Sequence, residues 1–214
     1  MKTKAIYLVL FILLAYVIPL IWEPEYLFFW KTGMLCAFIF ILIFTRPPLR
    51  VTGACKDQFT DRLSLALLFI AFLVSQAAIV FEWAYLSVKL SSYPASQCII
   101  GFILMFSGIL FRAWSVYSLG QLLASNDQSK PIQRIVTFGP FSLVRFPYYF
   151  GGYLAAVGSA MFMQVSYALI LTMIILFLAY MYRISVEEKA LIREFGDEYE
   201  RYMSRTKKFL PFIY

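Results

Sequence analysis

The sequence contains no histidine. That absence removes Ser-His-Asp and Cys-His triads, His-ligated zinc and imidazole general bases. Charge is scarce as well, at 14% of 214 residues, where a soluble domain carries about 25%. The three cysteines, Cys36, Cys55 and Cys98, lie far apart with no C-x-x-C pair, which argues against a disulfide framework and a thiolate metal site. What is abundant is apolar: 62% of the chain, including 22 Phe and 15 Tyr. This is the composition of a membrane protein, in which aromatics serve packing and interfacial anchoring.

A membrane span needs about 17–25 apolar residues. Ala5–Trp22, Leu27–Phe44, Leu63–Trp83 and Gln97–Leu119 qualify, with Lys31 placed to snorkel at the start of the second. Phe150–Tyr182 is too long for one upright span and has Gln164, Val165 and Ser166 near its middle. It is expected to form a tight helical hairpin of two short segments; one strongly tilted helix is the alternative. The expected fold is all-α and polytopic, with about six membrane segments including this hairpin and a cytoplasmic amphipathic helix at the end. Residues 1–110 form the N-terminal transmembrane helices. Residues 111–214 form a core of cytoplasmic loop, hairpin and C-terminal helix.

The first segment has the Lys2/Lys4 flank of a signal peptide, but a long apolar run and no A-x-A site, so it is expected to be retained. Of the 19 Lys and Arg, all but Lys31 and Lys89 fall on one side of this topology. Positive-inside bias then puts both termini in the cytoplasm. It also accounts for the net charge of +7 without nucleic acid. The short chain suits a prokaryotic plasma membrane better than the endoplasmic reticulum.

Within the hairpin, Gly151, Ala155 and Ser159 recur every four residues, as do Gly152, Ala156 and Ala160. Small residues at this spacing let helices approach closely in lipid; close approach to a ligand is the lesser reading. The polar stretches 120–149 and 183–214 flank the hairpin and should meet over the membrane surface. In the first, Gly139-Pro140 and Pro147 mark turns, and Pro147 biases Phe146 away from helix. Arg145 sits at the mouth of the apolar run. By itself this stretch is equally well a basic aromatic linker anchored in headgroups. In the second, Arg183 and Glu187 are i,i+4 on one helix face, where dielectric is low. That is either an ordinary ion pair or a charge constellation facing a ligand. Glu188 lies about 100° around the helix and faces water or the basic loop. Leu191, Phe195, Tyr199 and Tyr202 form the stripe of an amphipathic tail helix bent near Gly196.

Taken together, these stretches resemble the isoprenylcysteine carboxyl methyltransferases, and in part the phospholipid methyltransferases. The resemblance rests on Arg112 with Leu119-Gly120, then Ile135-Val136-Thr137-Phe138-Gly139-Pro140-Phe141, then Arg145-Phe146-Pro147-Tyr148-Tyr149-Phe150-Gly151. After the hairpin come Arg183, Glu187-Glu188, Leu191, Phe195-Gly196, Tyr199 and Tyr202, and the ending Leu210-Pro211-Phe212-Ile213. The match covers roughly residues 110–214. It implies an S-adenosylmethionine-dependent methyltransferase embedded in the bilayer, acting on a lipophilic acceptor that enters from the membrane, with no metal and no nucleic acid. By position, Gln133, Arg134, Ile135, Val136, Phe141, Phe146, Pro147, Tyr148 and Tyr149 would lie against the cofactor. Asn126 would add a looser contact. Glu187 would bind the cofactor with Glu188 beside it, Arg183 would meet the substrate carboxylate, and Arg145 joins Arg183 and Glu187 as a catalytic candidate.

Three positions depart from the family pattern. The two expected histidines are Gln133 and Phe146, and the Tyr expected after Gly139-Pro140 is Phe141. Neither Phe offers a side-chain hydrogen bond. A lost bond to a charged group costs about 1.5–3 kcal/mol. The departures therefore weaken cofactor binding or mark a non-catalytic relative that binds lipid or cofactor. The missing histidines leave the chemistry itself feasible, since a carboxylate acceptor is ionised at pH 7 and needs no base. An amine acceptor, as in phospholipid N-methylation, would have to lose a proton to Glu187, Glu188 or solvent. A carboxylate or thiol-type acceptor is therefore favoured over an amine. A nicotinamide-dependent membrane reductase is a more distant alternative, with no G-x-G-x-x-G to support it.

Overall fold

The computed structural model describes residues 10–22, 25, 30–45, 58–86, 95–125 and 135–209, and those residues are helical with short connections. The helices are α1 (Leu13–Val17), α2 (Trp30–Phe44), α3 (Gln58–Phe81, continued by a wider turn Glu82–Leu86), α4 (Ala95–Ser125), α5 (Pro147–Phe162), α6 (Tyr167–Phe195) and α7 (Asp197–Arg205). A single 3-10 turn, Gly139–Ser142, precedes α5. Among the described residues, three stretches are long and apolar enough to cross a membrane: Phe59–Leu86, Ala95–Gln121 and Tyr167–Phe195; Trp30–Leu42 is a shorter apolar helix.

The apolar stretch Phe150–Tyr182 is not one helix. It breaks between Phe162 and Tyr167, where Gln164 takes φ 59°. That left-handed conformation is uncommon for a residue with a Cβ. The Gln164 Oε1 accepts a 2.9 Å bond from Lys31 Nζ, which also lies over the Trp30 and Phe162 rings. Lys31 is thus tied to the turn rather than left to reach for water. Beyond the break, α6 is not short: its 29 residues span about 43 Å. Tyr153 OH donates to the Met173 carbonyl, Tyr153 meets Phe177, and Tyr149 meets Arg183. Those pairings set α5 and α6 antiparallel.

A carboxylate from another helix caps the start of α6. Buried Glu82 accepts the backbone N–H groups of Ser166 (2.8 Å), Tyr167 (3.1 Å) and Ala168. Three of the four N–H groups that a helix start leaves open are covered by a negative charge at the positive end of the helix dipole. Nearer the middle, Ser75 Oγ and Thr172 Oγ1 pair at 3.0 Å, and Gln76 bridges Tyr16 OH and Ser159 Oγ. These polar groups face one another inside the bundle and not the lipid.

The tightest seam is α4 against α5. A Cβ on Gly108 would meet Ala155 N at 2.5 Å and Gly151 O at 2.7 Å; one on Gly151 would meet Gly108 O at 2.7 Å. Gly158 sits as closely on Met105 of α4. The small-residue pattern of α5 therefore serves helix packing, as its first reading holds. The other small face is different: a Cβ on Gly152 would meet Tyr180 OH at 2.8 Å and Arg112 Nη1 at 3.2 Å. Past α6, Gly196 at φ 52° turns the chain, and α7 folds back with Tyr199 and Tyr202 buried. Phe209, fully buried, ends the described chain among the rings of Phe150, Tyr153, Phe177 and Tyr180.

The seam sets a prediction. Gly108→Leu forces α4 and α5 apart and lowers stability by about 1–3 kcal/mol. Gly33→Ala, where nothing lies within 4 Å of the added Cβ, leaves it unchanged or slightly raised. Thermal melts of the two detergent-solubilised variants check both.

Candidate functional site

Arg183 lies on α6, about four turns from its start, and is only 7% exposed. A guanidinium so buried needs partners for its whole donor fork. Its Nε donates to Tyr149 OH at 3.0 Å and its Nη2 to Glu187 Oε1 at 2.7 Å. Its Nη1 donates to Ser64 Oγ at 2.8 Å, to Asp61 Oδ1 at 2.5 Å and, more weakly, to the Asp61 carbonyl at 3.5 Å. The i,i+4 ion pair expected from spacing is formed. The guanidinium is nevertheless occupied by the protein's own groups, so a substrate carboxylate would have to displace one of them.

Glu187 is the second node. Its Oε1 accepts from Arg183, from Tyr149 OH at 2.7 Å and from Tyr148 OH at 3.2 Å; among the described residues its Oε2 accepts from Tyr148 OH alone, at 3.1 Å. The two tyrosines come from the first turn of α5, which Pro147 starts at N1 while Phe146 stays outside the helix at φ −123°, ψ 61°. Their rings lie 3.9 Å apart, and Tyr180 closes on Tyr149 at 5.3 Å. Behind Tyr148 stands Arg112 of α4. It donates to the Tyr148 carbonyl at 3.1 Å and holds its charge 5.8 Å from the Tyr148 ring. Gly152 leaves the room for it.

Arg145 is not in this cluster. It pairs with Glu188 at 3.3 Å, and Glu188 pairs in turn with Lys208 at 2.7 Å. The Arg145 backbone N–H donates to the Lys207 carbonyl at 2.8 Å, in a parallel bridge of Val144 with Lys207. Glu188 thus faces the basic loop and the returning chain. Among the described residues, Arg145 Nε and Glu188 Oε1 are buried without a hydrogen bond. Above them, Tyr202 OH donates to the Phe141 carbonyl at 2.6 Å. Burial pushes the Tyr199 and Tyr202 hydroxyls above the usual phenol range, so both stay protonated donors.

Of the remaining candidates, Val136 and Phe141 are buried together with Leu119, and Ile135 is half-buried at the start of that strip. Phe146 is buried in the cluster of Tyr148, Tyr149 and Ile184, with its ring 6.2 Å from Tyr149. Asn126, Gln133 and Arg134 lie outside the described residues, as does the ending Leu210–Ile213. Sequence reasoning missed Asp61, Ser64 and Lys208. Asp61 and Ser64 are three apart in the first two turns of α3, a signal that reads equally as a helix start.

Residues 96–198, just under half of the chain, match the model of the phospholipid methyltransferase family. Over 116 residues, 53% of this chain, the sequence is 29% identical to the protein-S-isoprenylcysteine O-methyltransferase of Schizosaccharomyces pombe (strain 972 / ATCC 24843). The match spans about half of that relative, 48% of its length. Over part of its length the chain is therefore similar to the isoprenylcysteine and phospholipid methyltransferases, in line with its motifs.

The Tyr149 hydroxyl bridges Arg183 and Glu187, so Tyr149→Phe leaves a buried guanidinium N–H unmatched. The expected loss is about 1–3 kcal/mol of stability, read as a lower melting temperature of the purified protein.

Proposed function

We propose that the protein is a multi-pass integral-membrane methyltransferase that uses S-adenosylmethionine and acts on a lipophilic carboxylate acceptor of the isoprenylcysteine type. The observation that carries the reading is the pairing of Glu187 with Arg183, Tyr148 and Tyr149 towards the C-terminal end of α6, within residues 96–198 matched by the family model.

The residues present fit such a cofactor by their chemistry. Among the described residues, Glu187 Oε2 carries a single hydrogen bond and its side chain is 20% exposed, while Glu188 Oε1 meets Arg145 Nη2 as a 3.3 Å ion pair without a hydrogen bond. A carboxylate with acceptor capacity to spare, beside the close, tilted rings of Tyr148 and Tyr149, suits a ligand that bears an ammonium group, sugar hydroxyls and a planar base. When bound, S-adenosylmethionine supplies a methyl group on a sulfonium. Glu187 would bind it, with Glu188, Ile135, Val136, Phe141 and the stretch Phe146–Tyr149 around it. Asn126, Gln133 and Arg134 belong to the same proposal. Tyr149 holds Glu187 and Arg183 in register. Arg183 orients the acceptor carboxylate, which is ionised at pH 7 and needs no base. Arg145 fixes the returning chain against the loop and acts on the site through Glu188.

The acceptor enters laterally from the bilayer, between the α5–α6 hairpin and the other helices. The proposed topology has six membrane segments with both termini in the cytoplasm, in a prokaryotic plasma membrane, and residues 111–214 as the methyltransferase core. The match to the phospholipid family supports a second acceptor, a lipid amine, whose proton would have to pass to a carboxylate or to solvent.

Calorimetry with S-adenosylhomocysteine tests the reading, and no binding at millimolar ligand would sink it. Glu187→Ala abolishes that binding, and Glu187→Gln weakens it by about ten- to hundredfold. Arg183→Ala keeps it while turnover of the carboxylate acceptor is lost. Phe146→His, which restores a side-chain hydrogen bond, tightens cofactor binding by about tenfold or more in the same titration. If the two alanine variants keep wild-type turnover, the residue roles are wrong.

A further inference from the structure

Arg183 is held by four side chains, and they are not equally replaceable. Tyr149 and Ser64 are buried, and Glu187 is also bonded to both tyrosines. Asp61 is different. Its carboxylate is 35% exposed, the most open in the network, against 20% for Glu187 and 8% for the Arg183 side chain. Its one described partner is the Arg183 Nη1 at 2.5 Å. The backbone around it is held independently, since the Asp61 carbonyl accepts from Ser64 Oγ at 2.8 Å and from Arg183 Nη1 at 3.5 Å. The first turn of α3 therefore stays docked whether or not the carboxylate is engaged.

The charge count points the same way. One guanidinium faces two carboxylates, so the network carries one net negative charge. Adding a third carboxylate beside it, at low dielectric, is unfavourable. Exchanging one carboxylate for another keeps the count.

We propose that Asp61 is a resident carboxylate on Arg183, which a carboxylate acceptor displaces to reach the guanidinium, making Asp61 a specificity-determining residue of the site. This rests on the carboxylate acceptor proposed above. An acceptor without a carboxylate cannot take the place of Asp61, so it meets a guanidinium that is already neutralised. Asp61 thereby sets the cost of binding an acidic acceptor and narrows the margin by which the acid is preferred over a neutral one.

The test is equilibrium binding without methyl donor, using N-acetyl-S-prenylcysteine and its carboxamide on the purified full chain. In Asp61→Asn the competing charge is gone and the acid binds about three- to tenfold tighter, while the carboxamide is unchanged. Asp61→Glu keeps a carboxylate and stays near wild type. In turnover, Asp61→Asn lowers KM for the acid with little change in kcat. The proposal is overturned if the acid binds no tighter in Asp61→Asn, if acid and carboxamide shift alike, or if neither protein binds the acid. A wild-type protein that binds the acid, and loses the Asp61 effect in Asp61→Asn, yet transfers no methyl group would overturn the methyltransferase reading and leave the displacement standing.

Discussion

A guanidinium taken out of water must be matched on every edge, and that requirement at Arg183 organises the end of the bundle where α5 begins. The charge sits on α6, but its partners come from three helices: Asp61 and Ser64 from α3, Tyr149 from α5 and Glu187 from α6 itself. None of the three helices can move along another without stranding a buried donor or acceptor, which costs more than the net value of the bond it breaks. The register of the bundle at this end is thus fixed by polar geometry, while apolar packing supplies the bulk of the contact.

The opposite end of α6 has its own polar lock. Glu82 covers the first N–H groups of α6, and Lys31 holds the turn that leads into it. Glu187 lies 20 residues beyond Tyr167, about 30 Å along the helix axis. That is the thickness of a bilayer's hydrocarbon core. Between the two locks, α6 presents mostly apolar surface, with Ile170, Ile174 and Leu178 exposed. Polar anchoring at both ends and apolar exposure between them is the pattern a membrane imposes.

Close helix approach and charge placement are coupled through α5. One small-residue face lets α4 lie against its backbone, and that contact carries Arg112 to the Tyr148 carbonyl and ring. Tyr148 in turn touches Glu187 on its other side. The outer layer, with Arg145, Glu188, Lys208, Tyr199 and Tyr202, closes the end of the bundle by bringing the chain after α7 back against the loop before α5. The site therefore has an inner layer built on Glu187 and an outer one built on Glu188, adjacent residues facing different partners because consecutive helix positions are about 100° apart.

Much of this was legible in the residues. Long apolar runs determined the helices, Pro147 and Gly196 determined where two of them start and stop, and the i,i+4 spacing of Arg183 and Glu187 determined their pairing. Local rules suffice for these because the partners are close in sequence. The ordered motifs after residue 110 also determined the family resemblance. The division of labour among the charges was decided only in three dimensions. Asp61 lies 122 positions from Arg183 and carries no local sign of its role. Glu82 is a capping residue for a helix that begins 85 positions later. Arg145, adjacent to the site in sequence, turns to Glu188 and the returning chain. Spacing along the chain tells which residues share a helix face, whereas which buried charge meets which depends on how separate helices pack, and no single-helix periodicity contains that.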